Sequence, residues 1–363
     1  MVKTLVLHVS HLFGGAERSL LEILANSCNR DRYVLVLNPE TELYEKAVSA
    51  GYAVYSADIR YYSKKDLRSN FRQVLKNVSA VSAELRRIGR KEGVSVVYCN
   101  THRSLIYTIP IGRSPCRVVC SCRDGIESLA ERWLVRWLSD TVIAVSDYIA
   151  NQLNQKNVHV VRNVVAPPKI RTPIDLRERF GLSSESICIG MVGSLTPWKN
   201  QKDFLRIAAA LIRYRSDLHF FIVGETVDSL YRDELMRFVE QENMRSSVTF
   251  TGAVTTAIPW LSAFDLVVHT AINEPFGRVV AEAMYLRRPV IAYDCGGPSE
   301  ILTHRETGIL IRPYDIDAAV QEILALISAP HERTRLGQRA EAYAVKRWNI
   351  AEFVRTIEQF TLI

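Results

Sequence analysis

Short apolar segments alternate with helical segments along almost the whole chain, and this alternation restricts the fold more than any other feature. In the first half, β-branched and aliphatic runs predict strands. These runs are Thr4–Val9, Tyr33–Leu37, Val94–Tyr98, Arg117–Cys122 and Thr141–Val145. Because the runs are continuously apolar, both faces of their sheet should be covered by helices, which is typical of a parallel sheet.

A single proline-rich segment interrupts this pattern. Ala166–Pro168, followed by Pro173, predicts a linker. Beyond it the alternation resumes, with predicted strands at Ile187–Val192, His219–Val223, Val248–Thr251, Leu266–His269 and Val290–Tyr293. A length of 363 residues suits two domains of roughly 100–200 residues each. We therefore predict an α/β chain of two doubly wound, Rossmann-like domains that face a central cleft, with ligands at the carboxyl ends of the strands.

Positive charge is concentrated in the first half of the chain. Residues 1–165 contain 23 Lys and Arg against 15 Asp and Glu, whereas the remaining residues contain 23 against 24. Such an excess favours an anionic partner, such as a phospholipid surface, a lipid phosphate or an acidic glycan, although solvated helix faces also carry such charge. No aromatic-interleaved basic patch or nucleic-acid-binding module accompanies it, so nucleic acid is not expected as a partner.

The cysteine spacing and the hydropathy of the chain indicate the cellular compartment of the protein. The seven Cys show no C-x-x-C spacing, and Cys120 and Cys122 alternate within an apolar run, which favours buried, reduced thiols over a redox or metal role. No run approaches the ~18 apolar residues of a membrane-spanning helix, and the first ten residues resemble a strand more than a signal peptide. We therefore expect a cytoplasmic protein.

The most informative segment is Glu274–Glu282, which follows a predicted strand. Pro275 disfavours helix at Glu274, so this carboxylate lies in the loop and a helix can begin near Gly277. The free backbone N–H groups of the first helical turn, together with the helix dipole, form a site suited to a diphosphate. The spacing places Glu282 behind that site, and each carboxylate can accept hydrogen bonds from hydroxyl groups. A capping Glu274 with a solvated Glu282 is the alternative interpretation.

Three other loops combine glycine or lysine with the end of a predicted strand. Lys199 follows Gly193–Leu195 and could neutralise diphosphate charge, or could be an ordinary surface lysine. Gly296–Glu300 and Gly14–Glu17 also lead from strands into helices, and each glycine pair could be turn chemistry alone. Because four such loops occur at four strand ends, we expect them to contribute to ligand binding.

Together these motifs resemble the family-4 type of retaining glycosyltransferases. The resemblance rests on the E-x7-E segment 274–282, the Gly-Gly-Pro-Ser-Glu loop 296–300, the Gly-Ser-Leu and Lys segment 193–199 and the Gly-Gly-Ala-Glu-Arg segment 14–18. Segments 140–146 and 160–165 are also similar to that family. The matching segments occur in the family's order along nearly the whole chain.

The resemblance implies the GT-B fold and a division of the chain into three parts. Residues 1–166 would form an acceptor-binding Rossmann-like domain, and residues 167–345 would form the domain that binds the nucleotide sugar. The final helix, within 346–363, would cross back to the first domain.

The resemblance also implies roles for individual residues. Glu274 would bind hydroxyl groups of the donor sugar, and Glu282 would bind the ribose. The donor diphosphate would contact Lys199 and the backbone near Phe276, Gly277, Arg278 and Val279, and Gly15 would approach a phosphate from the first domain.

Three positions depart from the family pattern. Ser194, within the donor-binding loop, stands where relatives usually have Arg, which removes one positive charge beside the diphosphate. Val164 stands where relatives often have Gly. Arg123 stands where many relatives have a His near the reacting carbon, and His102 follows another strand of the same domain. We therefore predict Arg123 and His102 as catalytic candidates beside Glu274 and Lys199.

The resemblance implies transfer of a hexosyl group from a nucleotide-diphosphate sugar to a glycan or polyprenyl-diphosphate-linked glycan, in bacterial cell-surface polysaccharide assembly. The donor is a substrate, and no cofactor is expected. Asp315 and Asp317 resemble a metal-binding D-x-D pair, but they open a helix after Pro313, so Asp315 is expected to be an N-cap and no metal site is predicted. Two alternatives remain, namely a UDP-N-acetylhexosamine 2-epimerase-like enzyme, against which the E-x7-E segment argues, and a non-catalytic GT-B partner subunit.

Two segments of the basic half could attach the protein to the inner face of the plasma membrane. The first combines Lys64, Lys65, Arg68, Arg72 and Lys76 with a stripe that would be apolar in a helix, Phe71, Val74, Leu75 and Val78. In the second, Trp133 and Trp137 lie one helical turn apart beside Arg132 and Arg136. Tryptophan favours the bilayer interface, and each basic residue near an anionic surface contributes about 1 kcal/mol. The alternative is that both stripes pack on the sheet.

Overall fold

The computed structural model describes residues 2–9, 13–62, 66, 69–111, 116–168 and 174–362. Lys64, Lys65 and Arg68 of the predicted basic segment lie outside the described residues, as does Pro173 of the predicted linker. The chain divides into two compact units, which we call the N-unit, Met1–Val164 with Asn349–Ile363, and the C-unit, Val165–Trp348. Each unit is an α/β domain with its own parallel sheet.

The N-unit is built on a seven-stranded sheet in the order β3-β2-β1-β4-β5-β6-β7. Its strands are β1 (Lys3–Leu7), β2 (Tyr33–Leu37), β3 (Ala53–Ser56), β4 (Val94–Cys99), β5 (Arg117–Cys122), β6 (Thr141–Ala144) and β7 (Val158–Val160). All neighbours are parallel, and Leu5 of β1 lies between Val34 and Val97. The strand order reverses between β1 and β4, so the loops that follow these two strands diverge at the carboxyl edge and leave a crevice for a ligand.

Helices α1 (Gly15–Asn26), α2 (Glu42–Ser49), α3 (Phe71–Glu92), α4 (Leu129–Leu138) and α5 (Asp147–Leu153) belong to the same unit, with a 3-10 segment at His102–Ile111. The continuous apolar strands need this cover, because both faces of β2 and β6 are buried along their whole length. Cys120 and Cys122 are buried with their sulfur atoms 4.0 Å apart, and all seven cysteines are free thiols.

Only part of the apolar stripe predicted on α3 is buried. Val74 and Val78 are buried and continue into Val81, Leu85 and Ile88, whereas Phe71 and Leu75 are exposed. The buried set follows the spacing of one helical face. Phe71 continues that spacing but is exposed as the first residue of the helix, whereas Leu75 lies to the side of the face. On α4, Trp133 and Trp137 are 61% and 71% exposed and stack with ring centroids 5.8 Å apart. The interpretation that these tryptophans pack on the sheet is therefore wrong.

The C-unit contains a six-stranded parallel sheet in the order β10-β9-β8-β11-β12-β13. Its strands are β8 (Ile187–Val192), β9 (Leu218–Val223), β10 (Val248–Gly252), β11 (Leu266–His269), β12 (Val290–Tyr293) and β13 (Ile309–Ile311). Its helices are α6 (Leu176–Phe180), α7 (Gln201–Ile212), α8 (Ser229–Gln241), α9 (Ile258–Ala263), α10 (Arg278–Tyr285), α11 (Gly297–Ile301), α12 (Ile316–Ser328) and α13 (Pro330–Arg347), with a 3-10 turn at Pro197–Lys199. Here the strand order reverses between β8 and β11.

The last helix, α14 (Ile350–Thr361), packs in the N-unit. The Tyr33 hydroxyl lies 3.1 Å from the Thr361 hydroxyl, and the Arg32 guanidinium donates to the Leu362 carbonyl at 3.1 Å. Ser27 donates to the Glu358 carboxylate at 2.5 Å. These bonds attach α14 beside β2 and the end of α1, so the N-unit is assembled from both ends of the chain.

Candidate functional site

The C-unit brings its candidate residues together at the strand reversal. Lys199 ends the 3-10 turn after β8, and Glu274 lies in the loop after β11, the strand that pairs with β8. The loop after β12 carries Gly296 and Gly297. Three of the four predicted loops therefore meet at one edge of one sheet, at the place where doubly wound folds bind ligands.

Local backbone conformation sets the position of Glu274. Pro275 keeps this residue out of the helix, and Asn273 before it adopts a left-handed conformation with φ 62°. Gly277 is the N-cap of α10 with φ 92°, a conformation that favours glycine, and the helix begins at Arg278. No side chain caps this helix, so Glu274 is not a capping residue.

Glu274 is the centre of a buried charged cluster. Its Oε2 atom lies 2.5 Å from the Lys199 ammonium nitrogen and 3.4 Å from the Nε2 atom of His269. The Lys199 and Glu274 side chains are only 11% and 10% exposed, and the ammonium also lies 4.2 Å from the centre of the Trp198 ring. The interpretation of Lys199 as a surface lysine is therefore wrong.

The ionised state of Glu274 follows from its neighbours. Burial by itself would raise the pKa of this carboxyl group, because a charge is less well solvated there. The Lys199 ammonium and the His269 ring together outweigh this effect and hold the pKa of Glu274 well below its usual range. The Glu274 carboxylate is therefore ionised at neutral pH.

His269 is a residue of this cluster that sequence reasoning did not single out. It is the last residue of β11 and is 1% exposed. Apart from the 3.4 Å contact with Glu274, neither of its ring nitrogens has a partner within hydrogen-bonding distance in the described chain. The available signal was a polar residue that ends an otherwise apolar strand five positions before Glu274.

The loop after β12 packs directly against the Glu274 loop. The Gly297 N–H donates to the Glu274 carbonyl at 2.7 Å. A Cβ atom at Gly296 would lie 2.4 Å from that carbonyl oxygen, and one at Gly297 would lie 2.2 Å from the Phe276 carbonyl oxygen. These two glycines are thus required for close approach of two backbones, and not only for a turn.

The remaining predicted donor residues lie along α10 and the loop after β8. Glu282 is 6% exposed and contacts the Arg278 guanidinium at 3.4 Å, so it is not a solvated surface carboxylate. Phe276 is buried and packs edge-on against Trp348, whereas Val279 and Ser194 are half-buried. The Ser194 carbonyl accepts a hydrogen bond from the Gln201 amide at 2.9 Å.

Arg123 and His102 are both buried in the N-unit. The Arg123 guanidinium donates to Asn100, Asn163 and Tyr98 at 3.0, 3.2 and 3.4 Å. His102 is 1% exposed, and neither ring nitrogen has a hydrogen-bond partner in the described chain. Burial lowers the pKa of His102, and the nearby Asp124 opposes that shift.

Gly15 differs from these two residues because it is exposed. It is the first residue of α1, after the N-cap Gly14. The fourth predicted loop thus lies at the carboxyl edge of the N-unit sheet, immediately beside the strand reversal.

No metal centre is formed by the described residues. Across these segments, no three His, Cys, Asp or Glu side chains are grouped so that they could hold an ion. Asp315 caps α12, as predicted, by accepting a hydrogen bond from the Ala318 N–H at 3.1 Å.

Two family models match the chain, one on each half. The model described as Glycosyltransferase Family 4 matches residues 13–168, and the one described as Glycosyl transferases group 1 matches residues 174–343. The chain belongs to the family-4 type of GT-B glycosyltransferases. The GT-B fold is confirmed by solved structures, since Anabaena Alr3699/HepE in complex with UDP-glucose superposes with a TM-score of 0.84 at 23% identity, over 99% of each chain.

The curated relatives of this chain include two proteins that are named as sugar transferases. The alpha-D-kanosaminyltransferase of Streptomyces kanamyceticus is 29% identical over 49% of this chain and 45% of its own length. The poly(ribitol-phosphate) alpha-N-acetylglucosaminyltransferase of Staphylococcus aureus is 26% identical over 55% of this chain and 38% of its own length. The chain thus spans about half the length, or less, of these two relatives.

Proposed function

We propose that this family-4 glycosyltransferase moves a hexosyl group, with retention of configuration, from a nucleotide-diphosphate sugar to a glycan or lipid-linked glycan acceptor. The observation that carries the proposal is the buried Glu274–Lys199 pair at the strand reversal of the C-unit. A buried ion pair is weak evidence for stability by itself, because desolvation of both charges offsets their attraction. A charged cluster at a ligand-binding edge is better explained by a ligand that uses both charges.

The two oxygens of Glu274 suit the proposed division of roles. Oε2 is held by Lys199 and His269, whereas Oε1 makes no hydrogen bond within the described chain. Oε1 can therefore accept hydrogen bonds from hydroxyl groups of a donor sugar. Glu282, in the second turn of α10, is proposed to bind the ribose.

The diphosphate is proposed to bind at the start of α10. The free backbone N–H groups after Gly277 and the Lys199 ammonium would stabilise the negative charge that builds up as the diphosphate leaves. The acceptor hydroxyl would attack from the leaving-group side, and a phosphate oxygen of the donor would take its proton. No protein nucleophile and no metal ion are needed for this sequence, so we expect activity to persist in EDTA.

Retention is supported by the names of the relatives. Both curated relatives are described as forming alpha-linked products. Common nucleotide-hexose donors are themselves α-linked, so an α-linked product corresponds to retention. We propose the same configuration for the present enzyme. We also propose a role in cell-surface polysaccharide assembly. This role is supported by the names of the Staphylococcus aureus relative and of a mannosyltransferase of lipopolysaccharide core biosynthesis from Rhizobium meliloti.

The decisive experiment separates transfer from the two alternative activities. Purified protein is incubated with UDP- and GDP-hexoses and a panel of glycan acceptors, and the nucleotide diphosphate and glycosylated product are quantified. Formation of both with α-linkage supports the proposal. Conversion of UDP-N-acetylglucosamine to its C2 epimer would instead support the epimerase, and absence of any turnover with retained UDP binding would support a non-catalytic subunit.

A second proposal concerns attachment to the cytosolic leaflet, where a lipid-linked acceptor would be presented. No helix in the described segments is both long and apolar enough to cross a bilayer. The exposed stacked pair Trp133 and Trp137 supports surface attachment, because tryptophan partitions to the bilayer interface. Arg72 and Lys76 on α3 are also exposed. The free thiols of all seven cysteines suit the reducing cytosol.

Liposome flotation tests this attachment. We expect recovery with anionic but not neutral liposomes, loss of recovery at high salt, and weaker binding when Lys64, Lys65, Arg68 and Arg72 are changed to Glu. Replacing Trp133 and Trp137 by Ser should also weaken binding, whereas Leu230→Ser, at a site 79% exposed on the C-unit, should not. Equal recovery with neutral and anionic liposomes, or none with either, would contradict the proposal.

A further inference from the structure

Arg123 is the starting point of a buried hydrogen-bond network at the carboxyl edge of the N-unit sheet. Arg123 is 7% exposed, and the three groups that accept hydrogen bonds from its guanidinium, on Tyr98, Asn100 and Asn163, are all neutral. A buried guanidinium without a bonded carboxylate is a costly way to stabilise a fold. The network that it joins therefore calls for an explanation other than stability.

Asn100 is the centre of this network, and its hydrogen-bonding capacity is fully used. Its Oδ1 atom accepts from Arg123 at 3.0 Å and from the Tyr98 hydroxyl at 3.4 Å. Its amide nitrogen donates to the Ala16 carbonyl at 3.1 Å and to Nδ1 of His8 at 3.2 Å. The donors and acceptors on both sides fix the orientation of the Asn100 amide group.

The orientation of Asn100 in turn fixes His8. Because Nδ1 of His8 accepts from Asn100, the ring carries its proton on Nε2 and donates it to the Glu17 carboxylate at 2.6 Å. The other oxygen of Glu17 accepts from the Gly14 N–H at 2.8 Å. A continuous path of hydrogen bonds, buried as far as Glu17, thus runs from Arg123 to the backbone of the Gly14–Gly15 turn.

A second path leads from Arg123 to the same helix. Asn163 accepts from Arg123 at 3.2 Å and from the Ser19 hydroxyl at 3.0 Å. Ser19 lies one turn beyond Gly15 on α1. The two paths connect Arg123 to both the N-cap and the second turn of α1.

We infer that Arg123 is a positioning residue, which sets the geometry of the Gly14–Gly15 turn through Asn100, His8 and Glu17. The inference rests on the proposed function, and on the role that the family resemblance implies for this turn, namely approach to a phosphate group of the donor. It replaces the expectation that the Arg123 side chain itself faces the reacting centre. Three of the five guanidinium N–H groups are already bound inside the protein. Under this inference the groups that contact the substrate are the backbone atoms of the turn.

A double-mutant cycle on transfer tests how Arg123 acts. Arg123→Lys and Glu17→Gln should each lower kcat/KM by roughly 10-fold or more, and the double variant should be no worse than the more impaired single variant, because both changes break one path. Arg117→Lys is the matched control, since Arg117 lies at the opposite end of β5 and bonds Thr141 at 2.6 Å. Multiplicative losses in the double variant would overturn the inference, because they would mean that Arg123 and Glu17 act independently of each other.

Hydrogen exchange without substrate keeps this test separate from the proposed function. In Arg123→Lys, the amides of Gly14 and Arg18, which bond to Glu17 and to the Gly14 carbonyl, should exchange several-fold faster, while Arg117→Lys should leave them unchanged. Unchanged exchange in Arg123→Lys would overturn the inference whether or not the protein transfers sugar. Faster exchange with undiminished transfer would also overturn it, because the turn would then not serve the reaction.

Discussion

At the scale of single residues, the pair formed by Lys199 and Glu274 has the largest consequences. The two residues are 75 positions apart in sequence, yet their charged atoms are 2.5 Å apart and largely excluded from solvent. Each charge compensates the burial of the other. The pair therefore links the chemistry of the site to the stability of the C-unit.

Glu274→Gln is the sharpest test of this residue. The amide keeps the size of the side chain but loses the charge, so transfer should fall by at least about 100-fold, comparable to removal of one preorganised transition-state contact. The unpaired Lys199 should also cost about 1–3 kcal/mol of unfolding free energy. Steady-state kinetics and urea unfolding measure the two effects. Near-wild-type activity would contradict the assignment.

Acid should affect the same pair in a defined direction. The folded-state pKa of Glu274 is lowered from the ordinary value of 4.5, so its stabilising contribution is fully present above about pH 4.5 and is lost as pH falls through the folded pKa. The difference in unfolding free energy between wild type and Glu274→Gln should therefore shrink steadily below pH 4.5. Urea unfolding of both proteins at pH 7, 4.5 and 3.5 checks this, and a constant difference would show that the pair is not coupled to stability.

Glu282→Ala should mainly weaken donor binding. Glu282 lies within α10, away from the loop that carries Glu274, and is proposed to contact the ribose rather than the transferred sugar. We expect KM for the donor to rise by roughly tenfold with a smaller change in kcat, because the lost contact is present in ground and transition states alike. A loss confined to kcat would instead place Glu282 at the reacting sugar.

At the scale of secondary-structure elements, the site is an assembly of loops whose backbones touch. The loop after β12 enters α11 through Gly296 and Gly297, both in direct contact with the loop that carries Glu274. No side chain of this second loop needs to bind substrate for the loop to matter. Its contribution is to fix the backbone from which Glu274 projects.

Gly296→Ala should therefore reduce transfer without removing any functional group. A methyl group there would meet the Glu274 carbonyl at 2.4 Å and displace the loop. Gly252→Ala is the matched control, because Gly252 has a similar φ of 69° but open space around it. Gly252→Ala should lose about 1 kcal/mol from its positive φ. Gly296→Ala should lose more stability, because its φ of 65° with a ψ of −147° is a conformation that essentially only glycine adopts, and only this variant should lose most of its activity. Equal activity of the two variants would show that the loop contact is dispensable.

At the scale of the whole molecule, each unit has the same design. Both sheets are fully parallel, and both reverse strand order once, between β1 and β4 in the N-unit and between β8 and β11 in the C-unit. Both reversals carry a buried polar network at the carboxyl edge. The N-unit differs in using residues from the end of the chain, because α14 completes it.

Removal of residues 349–363 should consequently destabilise the N-unit and spare the C-unit. The deletion removes the buried side chains of Phe353, Val354 and Ile357, and so exposes the residues that they cover in the N-unit. It also removes the hydrogen-bond partners of Tyr33 and Arg32. Hydrogen exchange followed by mass spectrometry should show faster exchange in β1 and β2, with β8 and β11 unchanged. Uniform acceleration in both units would mean that α14 stabilises the molecule as a whole.

The sequence by itself determined the architecture and the location of the site. Continuous apolar strands alternating with helices can be buried only in parallel sheets with helical cover, and Pro275 and the glycine pairs specify loops by local sterics. The family membership followed from the order of these motifs. Each of these inferences depends on residues close together along the chain.

Only the tertiary structure decided which side chains meet. Sequence could not distinguish a surface Lys199 from a buried one, because its burial depends on the pairing of β8 with β11. It could not show that His269 reaches Glu274. Nor could it show that Arg123 is bonded by three neutral groups, two at the end of β4 and one beyond β7. It also left open whether Trp133 and Trp137 pack on the sheet. These outcomes depend on contacts between distant segments, which form only when strand order and helix rotation are fixed together.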